Sequence, residues 1–343
     1  MPLTLKNQAR VAMLEAQDGY GPPNDKTLAI GQDDFDLSVR IEGALAGETL
    51  VVADGDYTIG HINDCSEGVT VMAKNKGQVS ITGNAGDTIS CMDGARLGEI
   101  TFKGLVIEAS ERSMVTTLSQ KPPYRMNFED CIFDGSKGGF ATGDKWGLNI
   151  HRWDGYIARC TVRDIDKEHG GYFHTPAGDC LIYQTRAINN GRTGWQFVGR
   201  NNEAGYADVQ LAFVQDYFEN NGRKDGGSQL TVGGCREVYV ENCEWLIDKY
   251  RLDGTGHFVN WNDKMRQDPC EMIEFRGTNK MFTAEGCMSA PALTVVNSEW
   301  LAVSGRIGIF AGGQKAVVYD SLMPVTLGPW ASTPQIQGKV VAV

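Results

Sequence analysis

Six short runs in the middle of the chain alternate apolar and polar residues about one central position, and they recur at a near-constant interval. They are ITFKGLVIEAS, MNFEDCIFDGS, GYIARCTVRDID, CLIYQTRAINN, VQLAFVQDYFENN and VYVENCEWLID, centred on Leu105, Cys131, Cys160, Thr185, Asp216 and Cys243. Successive centres lie 26, 29, 25, 31 and 27 residues apart. Alternation marks strands with one buried face. The period is shorter than the roughly 40 residues of a propeller blade, and the Leu/Asn consensus of leucine-rich repeats is absent. Only one helical pattern is found, near residues 4 to 16, which excludes a doubly wound sheet. What fits is a coil of short strands stacked into a parallel β-solenoid, with like residues of neighbouring coils about 4.8 Å apart.

Turn chemistry follows the later centres. Asp164, Asn189 and Asn190, and Asn220 and Asn221 stand four to five residues beyond them, and Asn and Asp tolerate left-handed backbone. The word Asn-Asn-Gly-Arg occurs twice, at 189 and at 220, and is predicted to be one corner on two adjacent coils. Gly-led strands then begin with GLNIH at 147, GYFHT at 171, GWQFV at 194, GSQLT at 227 and GHFVN at 256.

With 343 residues and 41% hydrophobic content, the chain can bury a large core. Its 42 glycines and 11 prolines suit many tight turns. A net charge of −11 argues against nucleic acid or anionic lipid as partner. The opening MPLTLKNQARVAMLEAQDG has no apolar run, so neither a signal peptide nor membrane insertion is expected. Nine cysteines without paired zinc-type spacing point to free thiols in a reduced compartment or a virion. No metal site and no cofactor are expected.

The stretch GALAGETLVVADGDYTIG at 43 to 60 is similar to the opening coil of the right-handed parallel β-helix superfamily, typified by pectate lyases and bacteriophage tailspikes. The resemblance covers roughly residues 40 to 320. It implies an all-β, single-stranded right-handed parallel β-helix over 41–320. Residues 1–40 would cap or attach it, with LKNQARVAMLEA shielding the first coil. Residues 321–343 would form an irregular cap or subunit contact. It also implies a virion protein of a phage: a tailspike, tail-associated or capsid-surface decoration subunit, homotrimeric, in contact with other virion proteins and binding host-surface polysaccharide. A polysaccharide lyase or glycoside hydrolase acting on an acidic glycan is the alternative, and a bacterial surface adhesin is a third reading.

Two surfaces could serve such a role. Seven residues past their centres stand Arg112, Lys167, Arg192 and Arg223, a row of cations for an anionic polymer. Alternatively, each pairs with a carboxylate such as Glu168, Glu219 or Asp225. On the Gly-led strands, an inward set of Leu148, Ile150, Tyr172, His174, Trp195, Phe197, Leu230 and Val259 would leave Asn149, His151, Phe173, Thr175, Gln196, Gln229, Thr231, Phe258 and Asn260 outward. Rings and amides of that kind suit sugars, and equally a subunit contact.

The densest reactive cluster, RDIDKEHGGYFHT at 163 to 175, supplies the catalytic candidates. A lyase requires a base for the proton beside a uronate carboxylate and a cation to neutralise that carboxylate; Lys167 or Arg192 could act as either, and His169 as base. Glu168 and Asp225, two coils apart, could instead form a glycosidase pair. Arg192, Arg223, Asn149, His151, Phe173, Gln196, Gln229 and Phe258 are the substrate-binding candidates. The lyases' basic catalytic pattern and acidic calcium ligands are not present in a recognisable order.

Overall fold

The computed structural model describes residues 3–17, 19–34, 36–83, 86–108, 112–117, 124–136, 146–198, 209–222, 228–232 and 235–246, together with the strand backbone of segments between 257 and 337. The architecture is a parallel β-solenoid of three sheets: sheet A with 13 strands, sheet B with 10 and sheet C with 11. Each coil from His61 to Ala302 contributes one strand to each. In one coil Trp146–His151 lies in sheet C, Tyr156–Ala158 in sheet A and Thr161–Arg163 in sheet B. In the next, Gly171–His174, Cys180–Tyr183 and Arg186–Ile188 take the same places.

The six repeat centres form the predicted column. Each is separated from the end of its sheet A strand by one residue, and the carbonyls of the first five accept from the coil above: Ile132 N–H donates to Leu105 O, Thr161 to Cys131, Arg186 to Cys160, Tyr217 to Thr185 and Glu244 to Asp216, at 2.8–2.9 Å. All six are buried. The residues just before them, Gly104, Asp130, Arg159, Gln184, Gln215 and Asn242, are left-handed, with φ between 52° and 71°. A second left-handed column, Asp164, Asn189 and Asn220, ends the sheet B strands, as the Asn and Asp turns predict. Asn190 Nδ2 donates to Asn221 Oδ1 at 2.7 Å, so the repeated Asn-Asn-Gly-Arg word is one corner on two coils.

The core follows from the register. Val71, Phe102, Phe128, Ile157, Ile182, Phe213 and Val240 lie directly over one another in sheet A. Ile107, Phe133, Val162, Ala187, Phe218 and Trp245 do so in sheet B. Rings stack within these columns, Phe102 on Phe128 at 5.5 Å and Phe218 on Trp245 at 5.5 Å. Burying each large side chain contributes about 1.5–3 kcal/mol.

Helix α1, Leu5–Glu15, does not shield the first coil as expected. It lies on the outer face of sheet A, far along the solenoid, because that face is apolar there. Leu14 packs among Tyr156, Ala158, Leu181, Tyr183, Ala212, Val214 and Tyr239. Asn7 Nδ2 donates to Cys180 O at 3.3 Å, and Lys6 and Arg10 both pair with Asp154. The first coil is covered by helix α2, Ser38–Glu42, which stands where a sheet C strand would be. Leu37, Ile41 and Ala44 enter the core. Glu42 Oε1 accepts from Asn63 N–H at 2.7 Å, satisfying an edge amide that would otherwise invite another strand. Strand Thr27–Ile30 already belongs to sheet A, paired with Thr49–Val52.

Candidate functional site

The outer face of sheet C carries the densest group of rings and imidazoles. In register, Asn149 stands beside Tyr172, then Gln196 and Thr231, and His151 beside His174. Trp146 and Tyr172 stack at 6.3 Å with 14° between planes. Tyr172 meets His174 edge-on at 4.1 Å and His169 face-on at 5.2 Å. His151 and His174 stack at 4.1 Å, 8° from parallel. Trp146, Asn149, His151, Tyr172 and His174 are all partly exposed. Asn149 Oδ1 is shielded and has no hydrogen-bond partner among the described residues.

The sequence expectation for this face needs correction on one coil. Tyr172 and His174 point outward and Phe173 inward, the reverse of the predicted set. The cause is the pair Gly170–Gly171. Gly147, Gly170 and Gly194 form a column with no room for side chains: a Cβ on Gly147 would come within 2.2 Å of Gly170 O, and one on Gly170 within 2.7 Å of Gly194 O. Gly171 therefore falls in register with Leu148 and Trp195. The Trp195 ring fills the space its side chain would take, 2.4 Å from an added Cβ. Phe173 is consequently a core residue, 4.7 Å from Trp153 and 4.6 Å from Phe197. The doublet lets either glycine stand at the head of the strand, and it is Gly170, not Gly171, that occupies the place of Gly147 and Gly194.

Other candidates fall as follows. Asn149 and His151 face outward as predicted. Gln196 is in the outward column but only 7% exposed. Gln229 is buried, bonded into the corner: its Nε2 donates to Asn221 O at 2.7 Å, and its Oε1 accepts from Asn221 Nδ2 at 2.8 Å. It is a structural residue, not a surface amide. Thr175 is left-handed and buried. Arg223, Asp225 and the side chain of Phe258 lie outside the described residues, so the Glu168–Asp225 pairing falls there too.

The cation row is interrupted. Arg192 N–H donates to Glu168 O at 3.0 Å, so Glu168, not Lys167, lies beneath Arg192. Their side chains pair, Arg192 Nη1 to Glu168 Oε2 at 3.2 Å. Arg112 pairs with Asp87 at 3.1 Å. Lys167 is exposed. His169 is buried beside Glu168, with Nε2 3.4 Å from Glu168 Oε2. Its Nδ1 accepts from Thr193 N–H at 3.2 Å, which assigns the proton to Nε2. Burial, and secondarily the Arg192 charge, push the His169 pKa down to about 3. The ring is neutral at ordinary pH, but its lone pair is engaged by a backbone amide, so it cannot accept a substrate proton without breaking that bond. The arrangement orders Glu168 and frames one end of the aromatic face.

No protein-family model matches the sequence, and no curated protein matches it. Among solved structures, the tailspike protein gp49 of Acinetobacter baumannii bacteriophage Fri1, described as a capsular polysaccharide depolymerase, aligns over 93% of this chain with a TM-score of 0.51 and 8% identity. The chain has the parallel β-helix fold. It spans 64% of that tailspike's length. ORF18 of Geobacillus virus E2 aligns over 98% of the chain and 63% of its own, at 12% identity and a TM-score of 0.46. A PL6 alginate lyase aligns over 88% of the chain and 60% of its own, at 12% identity and 0.45.

Proposed function

We propose that the protein is a bacteriophage virion β-helix subunit that holds a host-surface polysaccharide against the outer face of sheet C. The observation that carries this reading is the band formed by Trp146, Tyr172, His174 and His151, with the unpaired Asn149 carbonyl beside it. Flat rings cover the apolar faces of sugar rings, while amide and imidazole groups bond hydroxyls. Coils rise about 4.8 Å each, so an extended chain meets like groups repeatedly. The fold likeness to a phage tailspike supports the virion setting; the assembly proposed with it is a homotrimer, which sedimentation would test.

Affinity electrophoresis through gels holding acidic and neutral capsular polysaccharides tests the binding. Retardation by at least one polysaccharide is expected, and Trp146→Ala should weaken it roughly tenfold, the scale of one lost ring contact. Unchanged retardation in that variant, or none with any polysaccharide, defeats the reading.

A second reading, cleavage of an acidic glycan, draws on Glu168 held between Arg192 and His169, with Lys167 exposed beside it. It predicts new reducing ends or unsaturated products on incubation, abolished by Glu168→Gln. Activity that survives both Glu168→Gln and Lys167→Ala would remove these residues from any mechanism.

A further inference from the structure

On a different face, the left-handed column between sheets A and B borders a cleft of about 570 Å³, walled on its other side by the N-terminal arm. Its lining includes Gln17 and Tyr20 from the arm and Asp130, Arg159, Gln184 and Gln215 from four successive coils. The arm is fixed in place. Tyr20 Oη donates to Ala73 O at 2.6 Å, and Gln17 Oε1 accepts from Arg159 Nη2 at 2.8 Å. The Tyr20 ring sits against Gly104, the corner of the coil below Asp130, where an added Cβ would lie 2.0 Å from Oη. The column thus offers a gap at Gly104 into which the arm fits, and long polar side chains above it.

The chemistry of the lining is specific. Its cations and Asp130 are already matched: Asp130 accepts from Lys76 at 2.6 Å and from Arg159 at 3.1 Å, and Arg159 also reaches Glu129 at 3.3 Å; the other carboxylate of the lining, Glu15, accepts from Tyr183 Oη at 3.4 Å and would repel an anion. An incoming ion would have to break these pairs. The groups at the mouth are neutral amides, Gln184 Nε2 donating to Gln215 Oε1 at 2.8 Å, with the ring of Tyr183 beside them. Planar amides that both donate and accept, set next to phenol rings in a cavity of this size, match a polyol. We propose that this cleft is a second saccharide site, separate from sheet C, and that it takes a neutral sugar unit. It does not depend on the sheet C reading.

Saturation-transfer NMR on the full chain tests it with glucose, galactose and N-acetylglucosamine, against glucuronate as the anionic counterpart. At least one neutral sugar should receive saturation. Gln184 and Gln215 are exposed, so the double variant Gln184→Ala/Gln215→Ala should fold, and it should bind roughly tenfold more weakly, the effect of removing two neutral hydrogen-bonding groups. In the Trp146→Ala background, where the sheet C face is impaired, a signal should persist and should fall when Gln184→Ala/Gln215→Ala is added. The proposal is overturned if no neutral sugar receives saturation, if glucuronate alone does, or if the double variant binds like the parent. Loss of the signal in Trp146→Ala would also overturn it, by assigning the bound sugar to sheet C.

Discussion

Thr185 donates both its backbone N–H and its hydroxyl to Asp216 Oδ1, at 2.7 and 2.9 Å, inside the column of repeat centres. The other oxygen, Oδ2, is buried with no hydrogen-bond partner among the described residues. Burial dominates over the two bonds and raises the Asp216 pKa to about 8. In the unfolded chain the group titrates near 3.9, so between about pH 4 and pH 8 folding takes up a proton. Stability from this residue is therefore fully present below about pH 4 and falls as pH rises, by up to about 1.4 kcal/mol per unit. Asp216→Asn removes the ionisation. Urea unfolding at pH 5 and pH 8 should show the parent losing stability relative to the variant. Parallel losses in both proteins would refute the assignment.

Arg159 has the opposite dependence. It binds two buried carboxylates, Glu129 and Asp130. Burial opposes ionisation of Asp130, but the bonds from Arg159 and Lys76 outweigh it and hold the pKa below the ordinary value. A depressed pKa contributes stability above the unfolded value, lost as pH falls through the folded one. Arg159→Ala leaves both carboxylates without this partner and should cost about 3 kcal/mol at pH 7. The gap between parent and variant should narrow below about pH 4, where aspartate protonates. A gap independent of pH would mean that the loss is one of packing alone.

The column of centres was legible because apolar and polar residues alternating about one position every 25 to 31 residues suit a stacked coil and little else. Asn189 and Asn220 were legible because their own chemistry favours the backbone they adopt. Arg159, Gln184 and Gln215 are left-handed too, yet nothing in their residue type says so. Their conformation is imposed by the strands on either side and by the coil beneath, which one sequence does not display. The sheet C face was half legible: its residue types were right, but a glycine doublet moved one strand by a residue, which reverses its faces. The seat of α1 was not legible, because its partners, Tyr156, Leu181 and Tyr183, lie more than 140 residues away.

That register shift makes a paired prediction. Phe173 is fully buried between Trp153 and Phe197, whereas Tyr172 is partly exposed. Phe173→Ala should cost about 3–5 kcal/mol. Tyr172→Ala should cost under about 1 kcal/mol and instead weaken any polysaccharide retardation. Chemical denaturation of the two variants decides it. The reverse order would restore the register in which Phe173 faces solvent.

The thiols allow a simple count. Among the described residues, Cys65, Cys91, Cys131, Cys160, Cys180, Cys235 and Cys243 are buried thiols outside any disulfide. Burial raises Cys65, Cys91 and Cys180 to about 12, so at pH 8 almost no thiolate forms there. Of nine cysteines, at most the two outside this set should react with Ellman's reagent in the native protein, and all nine in guanidinium. Three or more fast-reacting native thiols would show that these coils open.

Gly104 is the point at which coil and arm constrain each other. Its φ is +71°, and Tyr20 occupies the space over its Cα, with Oη, Cζ and Cε2 at 2.0, 2.7 and 2.8 Å from an added Cβ. Tyr20 cannot stay with alanine there, because its hydroxyl is anchored on Ala73 O and the ring has no slack. Gly104→Ala should therefore release residues 17 to 20 while leaving the stacked coils intact, beyond about 1 kcal/mol for the left-handed backbone. Limited proteolysis should cut the variant near Tyr20 well before the parent, with an unchanged far-ultraviolet spectrum. Because the arm forms one wall of the cleft, the same variant should lose neutral-sugar saturation transfer. A variant cut no faster than the parent would mean that the arm does not rely on the absent side chain.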